Sequence, residues 1–376
     1  MAALPQATPL PKYASVAQEI QGEIARGKWE GGRMPSVRGI AKEHAVSVVT
    51  ASRALQVLRD KGLIQTIERS GCYLVPPPGA ELWAVCARVT PGAWQGATAG
   101  VVRAGFEALA GRHPMGLDFT GLDVRAGLTP GDAAAMVAAT GVHGVVLLPN
   151  RVSDEETRAE VALLAGCRDA QVPVVLIERN LRGHQDLAAD LVALDDANGA
   201  TACTRHLFDI GRRRVGVVVA SPVSSHDQRV AGYLFAVHEA KARWPDCRDV
   251  VIRERGNVES EESIATVADD VEKAGLDGVV CYSDYTALGL IVELLRRGRR
   301  VPADIAVTGF DNLPLGDAFP PGVTTYDYPG EALADQAVGL LRERIKAPNR
   351  PPVRVDVPAR LIVRGSTSEC HAPGHC

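Results

Sequence analysis

Between residues 82 and 308 the chain alternates short apolar runs with helical patterns, and that alternation confines it to a small set of folds. Leu82 to Val89, Gly144 to Leu148, Val172 to Ile177, Arg214 to Val219, Gly278 to Cys281 and Ile305 to Thr308 read as strands. A parallel neighbour is reached only through a crossover of a dozen or more residues, so this succession builds parallel sheets flanked by helices. Val323 to Tyr326, Val353 to Val357 and Arg360 to Val363 depart from the alternation, with one helix among them, and read as crossovers or edge strands. With no short repeat and no low-complexity tract, the simplest body is two similar α/β lobes with a cleft between them.

A different pattern precedes this body. Val16, Ile20 and Ile24 line one face of a helix from Tyr13 to Ala25, which Gly27 can end. Ser36 is placed to cap a short second helix with Val37, Ile40 and Ala41 inward, and a tight turn follows at His44 to Val46. Ser47 can cap a third helix whose Ala51, Ala54, Leu55 and Leu58 form a buried stripe and which Gly62 stops. Leu63 to Ile67 and Cys72 to Val75, separated by Glu68-Arg69-Ser70-Gly71, complete a hairpin. Three helices and a hairpin make a winged helix, and Pro76-Pro77-Pro78-Gly79 marks a linker behind it. The expected organisation is a head at 1–75, a linker at 76–80, a two-lobed body at 81–367 and a tail at 368–376.

Charge divides along the same line. The formal net charge is −4, yet residues 1–79 carry ten Lys and Arg against six Asp and Glu, leaving 31 against 39 for the remainder. A basic head on an acidic body fits a protein of which only the head meets phosphate. The start of the chain lacks the basic and apolar run of a secretory signal and no stretch reaches membrane-spanning length, so a soluble cytoplasmic protein with no membrane partner is expected. The eight cysteines are scattered rather than paired, as small buried side chains would be. The tail, Cys370 to Cys376, holds two Cys and two His at a terminus broken by Pro and Gly, and neither metal nor cofactor is expected there.

On the third helix the outward face includes Val48, Val49, Ser52 and Arg53. Two readings fit the valines: contact with thymine methyls in a major groove, or packing beneath the wing. Residues 13–75 resemble the GntR-type winged helix through Gly32-Arg33-Met34-Pro35-Ser36-Val37-Arg38, Gly62-Leu63 and Arg69-Ser70-Gly71. That resemblance implies DNA contacts at Arg38 and at Arg69 and Gly71 of the wing. The recognition helix itself, Val46 to Leu55, is closer to the V-S-x-x-T-V-S-R-x-L of the LacI family, with Val48 and Ser52 where GntR-type helices commonly carry arginine. By that likeness Val48, Val49 and Arg53 face bases, and Ser47 and Thr50 hold the DNA backbone. Arg212 to Arg214 and Arg296 to Arg300 directly precede apolar strands and read as solvated loop arginines outside any DNA site.

Ligands of open parallel sheets bind beyond the carboxyl ends of the strands. Glu178-Arg179-Asn180, Ser221 to Arg229, Ser283-Asp284 and Asp311-Asn312 occupy such places, and carboxylates with guanidinium groups suit polyhydroxyl or carboxylated molecules. For each residue singly, a helix cap or an ion pair is the plainer role. From about Ala84 to Thr367 the chain resembles the LacI-type effector domain, itself similar to periplasmic sugar-binding proteins. The likeness is carried by Val301 to Asn312, Thr324-Thr325, Arg364 to Thr367, Asp195 to Leu207, Arg212 to Val215 and Arg229 with Gly232. It implies ligand contacts at Arg229, Asp311, Asp284, Arg179 and Trp94, the last as a ring-stacking platform; a tryptophan buried in the core is the alternative.

Together these readings lead to one expectation. The chain is a dimeric regulator whose head binds operator double-stranded DNA, most simply as a repressor, and whose lobes close on a small-molecule effector, a sugar or its derivative. A nucleoside, purine or amino-acid effector is the alternative, and a solute-binding protein is the rival class. No catalytic motif of the hydrolase, zinc-protease or phosphate-cradling kinds is present, so no enzymatic activity is expected.

Overall fold

The computed structural model describes residues 11–25, 28–29, 34–67, 71–74, 80–87, 97–113, 115–119, 121–151, 153–220, 222–256, 258 and 260–368. Trp94, Arg69, the prolines at 76–78 and the Cys/His tail lie outside them, although each carried an expectation.

The head is a winged helix built around one small core. Helices α1 (Lys12–Ala25), α2 (Val37–Glu43) and α3 (Val48–Asp60) bury Ile20, Ile40, Leu55 and Leu58 together with Met34 and Ile64. Each large aliphatic side chain buried there contributes about 1.5–3 kcal/mol relative to exposure. Ser36 Oγ accepts the Gly39 N–H at the start of α2, and Ser47 Oγ accepts the Thr50 N–H at the start of α3, so both anticipated caps are formed. Gly62 ends α3 at φ +67°, with its N–H on the Arg59 carbonyl and the Leu63 N–H on the Leu58 carbonyl, the double closure that a left-handed residue permits. Strands β1 (Ile64–Ile67) and β2 (Gly71–Leu74) pair antiparallel with Ile64 opposite Leu74. The Met34 N–H donates to the Cys72 carbonyl at 2.8 Å and fastens the hairpin to the entry of α2.

The first lobe holds six parallel strands in the order β4-β3-β5-β6-β7-β13: β3 (Glu81–Cys86), β4 (Met115–Asp118), β5 (Gly144–Leu147), β6 (Val174–Ile177), β7 (Asp190–Leu194) and β13 (Arg354–Val357). Successive strand residues point to opposite faces, and the apolar clusters divide accordingly. Ala84, Val145, Leu147 and Leu176 pack with residues of α5 (Pro130–Thr140) and α6 (Asp154–Asp169). Trp83, Val146, Val175 and Ile177 pack with residues of α4 (Ala97–Ala110) and α12 (Gly330–Lys346).

In the second lobe the order is β14-β12-β11-β10-β8-β9, parallel except for β14: β8 (Val215–Val219), β9 (Val251–Arg253), β10 (Gly278–Cys281), β11 (Ala306–Phe310), β12 (Thr324–Tyr326) and β14 (Leu361–Ile362). Helix α7 (Asp196–Asp209) pairs with α8 (Ser224–Arg243), α9 (Glu261–Lys273) pairs with α10 (Asp284–Arg296), and the short α11 (Pro314–Ala318) follows β11. The chain passes between lobes three times: from β7 to α7, from β12 to α12, and from β13 to β14. The three late strands are thus both crossover segments and, for β13 and β14, sheet edges.

Two expectations need correction. Strands β4, β7 and β9 were not among the anticipated runs. Strand β7 begins with the charged Asp190, which is fully buried because Arg344 at 2.6 Å and Arg350 at 2.9 Å neutralise it. The arginine runs divide: Arg214, Arg296, Arg299 and Arg300 are solvent-exposed as anticipated, whereas Arg212, Arg213 and Arg297 are half-buried and engaged. Arg212 donates to the Pro302 carbonyl at 2.6 Å, Arg213 donates to the Phe208 carbonyl at 2.9 Å, and Arg297 is held by Glu293, Asp269 and Glu272. Both runs join strands to neighbouring loops and helices. Of the cysteines, Cys167, Cys203, Cys247 and Cys281 are buried, while Cys72 and Cys86 are half-buried.

Candidate functional site

The head presents one face with unpartnered polar and apolar groups. Val48 is 50% and Val49 66% exposed, so both present apolar surface to solvent. Their backbone is fixed from below: the Ser47 cap holds the first turn, and Ser47 Oγ lies 2.9 Å from Thr50 Oγ1. Ser52 and Arg53 are exposed on the same helix, and Arg38 is exposed on α2. Among the described residues neither arginine makes an ion pair, whereas Lys28 is engaged by Glu23 and Glu43, each at 2.6 Å. Gly71 opens β2 opposite Ile67. The head thus offers two exposed guanidinium groups without ion pairs among the described residues, and two exposed methyl-bearing side chains on the first turn of a capped helix, groups able to meet phosphate and base edges.

The second concentration of polar groups is buried, where the strand ends of the lobes meet. Arg229, on α8, is 3% exposed. Its Nε donates to Asp196 Oδ1 at 2.8 Å, its Nη1 donates to the Tyr282 carbonyl, and its Nη2 lies 3.8 Å from Asp311 Oδ1. The guanidinium sits 4.2 Å from the centre of the Phe310 ring, which supports it from one side. From the first lobe, Arg179 donates to the Pro149 carbonyl at 2.6 Å and pairs with Glu178. The Asn180 N–H crosses to Ser224 Oγ at 3.0 Å, joining the end of β6 to the first turn of α8.

Backbone conformation aims these side chains. Glu178 has φ +73°, Asp311 φ +92° and Asn312 φ +46°, all in the region that non-glycine residues rarely occupy. Asn312 is held by an Nδ2 bond to Asp327 at 2.9 Å and by Arg364 at 2.8 Å. Asp284, at the first turn of α10, accepts the Leu313 N–H at 2.7 Å, so it sits behind the Asp311 turn and fastens it.

Several buried atoms there have no hydrogen-bond partner among the described residues: Glu178 Oε2, Arg179 Nε, Asp196 Oδ2, Ser225 Oγ and the Tyr328 hydroxyl. Buried polar atoms are nearly always paired, so a group of orphans in one place marks where a ligand or ordered water completes the set. Burial pushes the carboxyl of Asp311 up to about 6, of Asp196 up to about 7 and of Asp284 up to about 8, with Arg229 opposing it at the first two. Burial also disfavours the Arg229 cation, but Asp196, Asp311 and Glu178 outweigh it and hold the group charged. A cavity of about 400 Å³ opens beside Arg179 at the strand ends of the first lobe, bordered by Phe119, Asn150, Arg151 and Glu160. Its volume suits a small organic molecule.

The structure thus brings Arg229, Asp311, Arg179 and Asp284 into one neighbourhood, while Trp94 is outside the described residues. Sequence reasoning placed Glu178 among the strand-end candidates but missed Asp196 and Tyr328 as members of the site. Asp196 follows the Asp195 helix cap directly, and only the fold reveals that its partner is 33 residues away on α8.

Known proteins with these features share both parts. Residues 12–74 match the gntR family of bacterial regulatory proteins, and residues 204–367 match the periplasmic binding protein-like domain. An uncharacterized HTH-type transcriptional regulator in the aml 5' region of Streptomyces limosus is 32% identical over 245 residues, 65% of this chain and 68% of that one. The chain belongs to the HTH-type transcriptional regulators. The HTH-type transcriptional repressor PurR of Vibrio atlanticus is 28% identical over 217 residues, 57% of this chain and 61% of that protein. In fold, the chain resembles a transcriptional regulator CelR–cellobiose complex, with a TM-score of 0.61 at 21% identity over 96% of this chain and 99% of that one. This regulator therefore joins a GntR-type DNA-binding head to a LacI-like, periplasmic-binding-protein-like body. Among its described residues no helix is long and apolar enough to cross a membrane.

Proposed function

We propose that this regulator represses transcription and that its affinity for operator DNA changes when a sugar or sugar derivative binds between the two lobes. The observation that carries this reading is the group of buried, unpartnered polar atoms around Arg229. Glu178, Asp196 and Tyr328 offer acceptors and a hydroxyl there, beside guanidinium groups already balanced by carboxylates. A neutral polyhydroxyl molecule can satisfy both donors and acceptors. An anion would face the carboxylates of Glu178, Asp196 and Asp311 at low local dielectric. The cellobiose in the similarly folded regulator and the repressor named among the relatives point the same way.

In this reading residues 1–75 form the head, 76–80 the linker, 81–367 the body and 368–376 the tail, and the protein acts in the cytoplasm as a homodimer without enzymatic activity. Arg38, Ser47, Val48, Val49, Thr50, Ser52 and Arg53, with Arg69 and Gly71 of the wing, face DNA. Arg229, Asp311 and Arg179 face the ligand, and Asp284 positions the Asp311 turn. A coupling free energy of about 1–3 kcal/mol between cleft and head suffices to change operator affinity five- to 150-fold.

The test is a thermal-shift screen of sugars, beginning with cellobiose, on the full chain with and without an operator selected from random duplexes. A sugar that raises the melting temperature and alters operator affinity, with both effects lost in Asp311→Asn, is the expected result. Stabilisation only by carboxylated or phosphorylated compounds, undisturbed in Asp311→Asn, would overturn the assignment.

A further inference from the structure

At the end of α8 opposite Arg229 lies a second cavity of about 580 Å³. Fourteen residues of helix separate Arg229 from Arg243, roughly 21 Å, so this pocket is remote from the cleft. Its floor is apolar: Trp244, Pro245, Val250 and Leu276. Around that floor stand Arg213, Arg214, Arg243 and Arg248, with Asp246 as the one acidic side chain among the lining residues described.

The guanidinium groups are not equivalent. Arg213 is built into the wall, with its guanidinium 3.7 Å from the centre of the Trp244 ring and its Nη1 on the Phe208 carbonyl at 2.9 Å. Phe208 stacks on the same tryptophan at 5.9 Å, which fixes the indole. Arg214 is partly engaged by Asp277 at 3.5 Å. Arg243 lies 4.8 Å from the Trp244 ring centre, and among the described residues neither it nor Arg248 makes an ion pair; both are exposed. Asp249, next to Arg248 in sequence, is engaged by Lys241 at 3.0 Å.

Elsewhere on the body, arginines of equal density are matched. Arg296, Arg297, Arg299 and Arg300 pair with Glu293, Asp269, Glu272 and Asp304 at 2.6–2.9 Å. A chain whose residues 80–376 hold 39 acidic against 31 basic side chains has ample acid to do the same here. Instead it leaves two guanidinium groups unmatched over an apolar, ligand-sized floor. Paired arginines of this kind bind phosphate oxygens by parallel N–H bonds, and a planar ring or an alkyl group attached to that phosphate would cover the floor.

We propose that this pocket is a second ligand site, separate from the cleft, which takes a small organic phosphate ester: the phosphate between Arg243 and Arg248, the organic part against Trp244, Pro245 and Leu276. This inference does not depend on the identity of the cleft ligand.

Calorimetric titration of the full chain with phenyl phosphate at fixed ionic strength tests it, with phenol as the uncharged control. Expected are saturable binding at one site per chain, no binding of phenol, and at least tenfold weaker binding in the Arg243→Gln, Arg248→Gln double variant. Among the described residues neither side chain makes a hydrogen bond or ion pair, so the melting temperature of that variant without phenyl phosphate should match that of the parent. The single variant Arg248→Glu should weaken binding by reversing one charge. Absence of saturable binding, or equal affinity in the parent and both variants, overturns the proposal.

Discussion

Arg229 and Asp196 meet at 2.8 Å with side chains only 4% and 0% exposed, and this contact locks α8 to the first turn of α7 where the chain enters the second lobe. Removing one partner of a buried pair leaves a charge that neither water nor protein can satisfy. Arg229→Ala is therefore expected to cost about 3–5 kcal/mol of body stability, besides any effect on ligand binding. Denaturant unfolding measures it, and a loss below 1 kcal/mol would show that the pair is not closed in solution.

The head should behave independently of that pair. Arg53→Ala removes an exposed guanidinium group that makes no ion pair among the described residues, so the melting temperature should not change while specific operator binding weakens by about 1–3 kcal/mol. Val49→Ser tests the apolar half of the same face, and operators with thymine opposite that position should lose most affinity. Equal gel-shift affinities for parent and both variants would remove α3 from the DNA contact.

Stability of the body should fall as pH rises. Asp284 has an ordinary value of 3.8 and burial lifts it to about 8, so the folded chain keeps a proton that the unfolded chain releases across that interval. Stability declines wherever the folded state binds more protons. Asp311 at about 6 and Asp196 at about 7 act with the same sign. Glu293 and Asp304, held at about 2 by their arginines, titrate below this window. Melting temperatures from pH 4.5 to 8.5 should decrease, and less steeply in Asp284→Asn, whose amide oxygen can still accept the Leu313 N–H. Parallel pH profiles for parent and variant would contradict the buried, protonated state.

Local signals made the head legible. Ser36 and Ser47 cap within three residues of themselves, Gly62 closes α3 within four, and the apolar stripe of α3 repeats within the helix, so short spacing alone located them. The two-lobed α/β body was legible from alternation for the same reason. Elements that depend on distant partners were not. Asp190 opens a strand only because Arg344 and Arg350, more than 150 residues on, neutralise it. Asp196 joins the cleft only because α8 folds back over α7. The left-handed turns at Glu178 and Asp311 likewise have no glycine to announce them.

Gly232 explains how the opening pair is brought together. A Cβ at this position would lie 2.0 Å from the Ala197 carbonyl oxygen, so the absence of a side chain lets α8 rest directly on the backbone of α7 one residue beyond Asp196. Thr201 Oγ1 donates to the Gly232 carbonyl at 3.0 Å and seals the same crossing. The obstructing atoms are backbone and cannot rotate away, so Gly232→Ala must part the helices, at about 1–3 kcal/mol by the usual cost of overpacking. Arg229 lies one turn earlier on α8, and its reach to Asp196 should lengthen with the helix displacement. Amide exchange in residues 196–204 should therefore accelerate in Gly232→Ala while exchange in α3 stays unchanged. If exchange in α7 matched the parent, close helix approach would not be what sets the geometry of the Arg229 cluster.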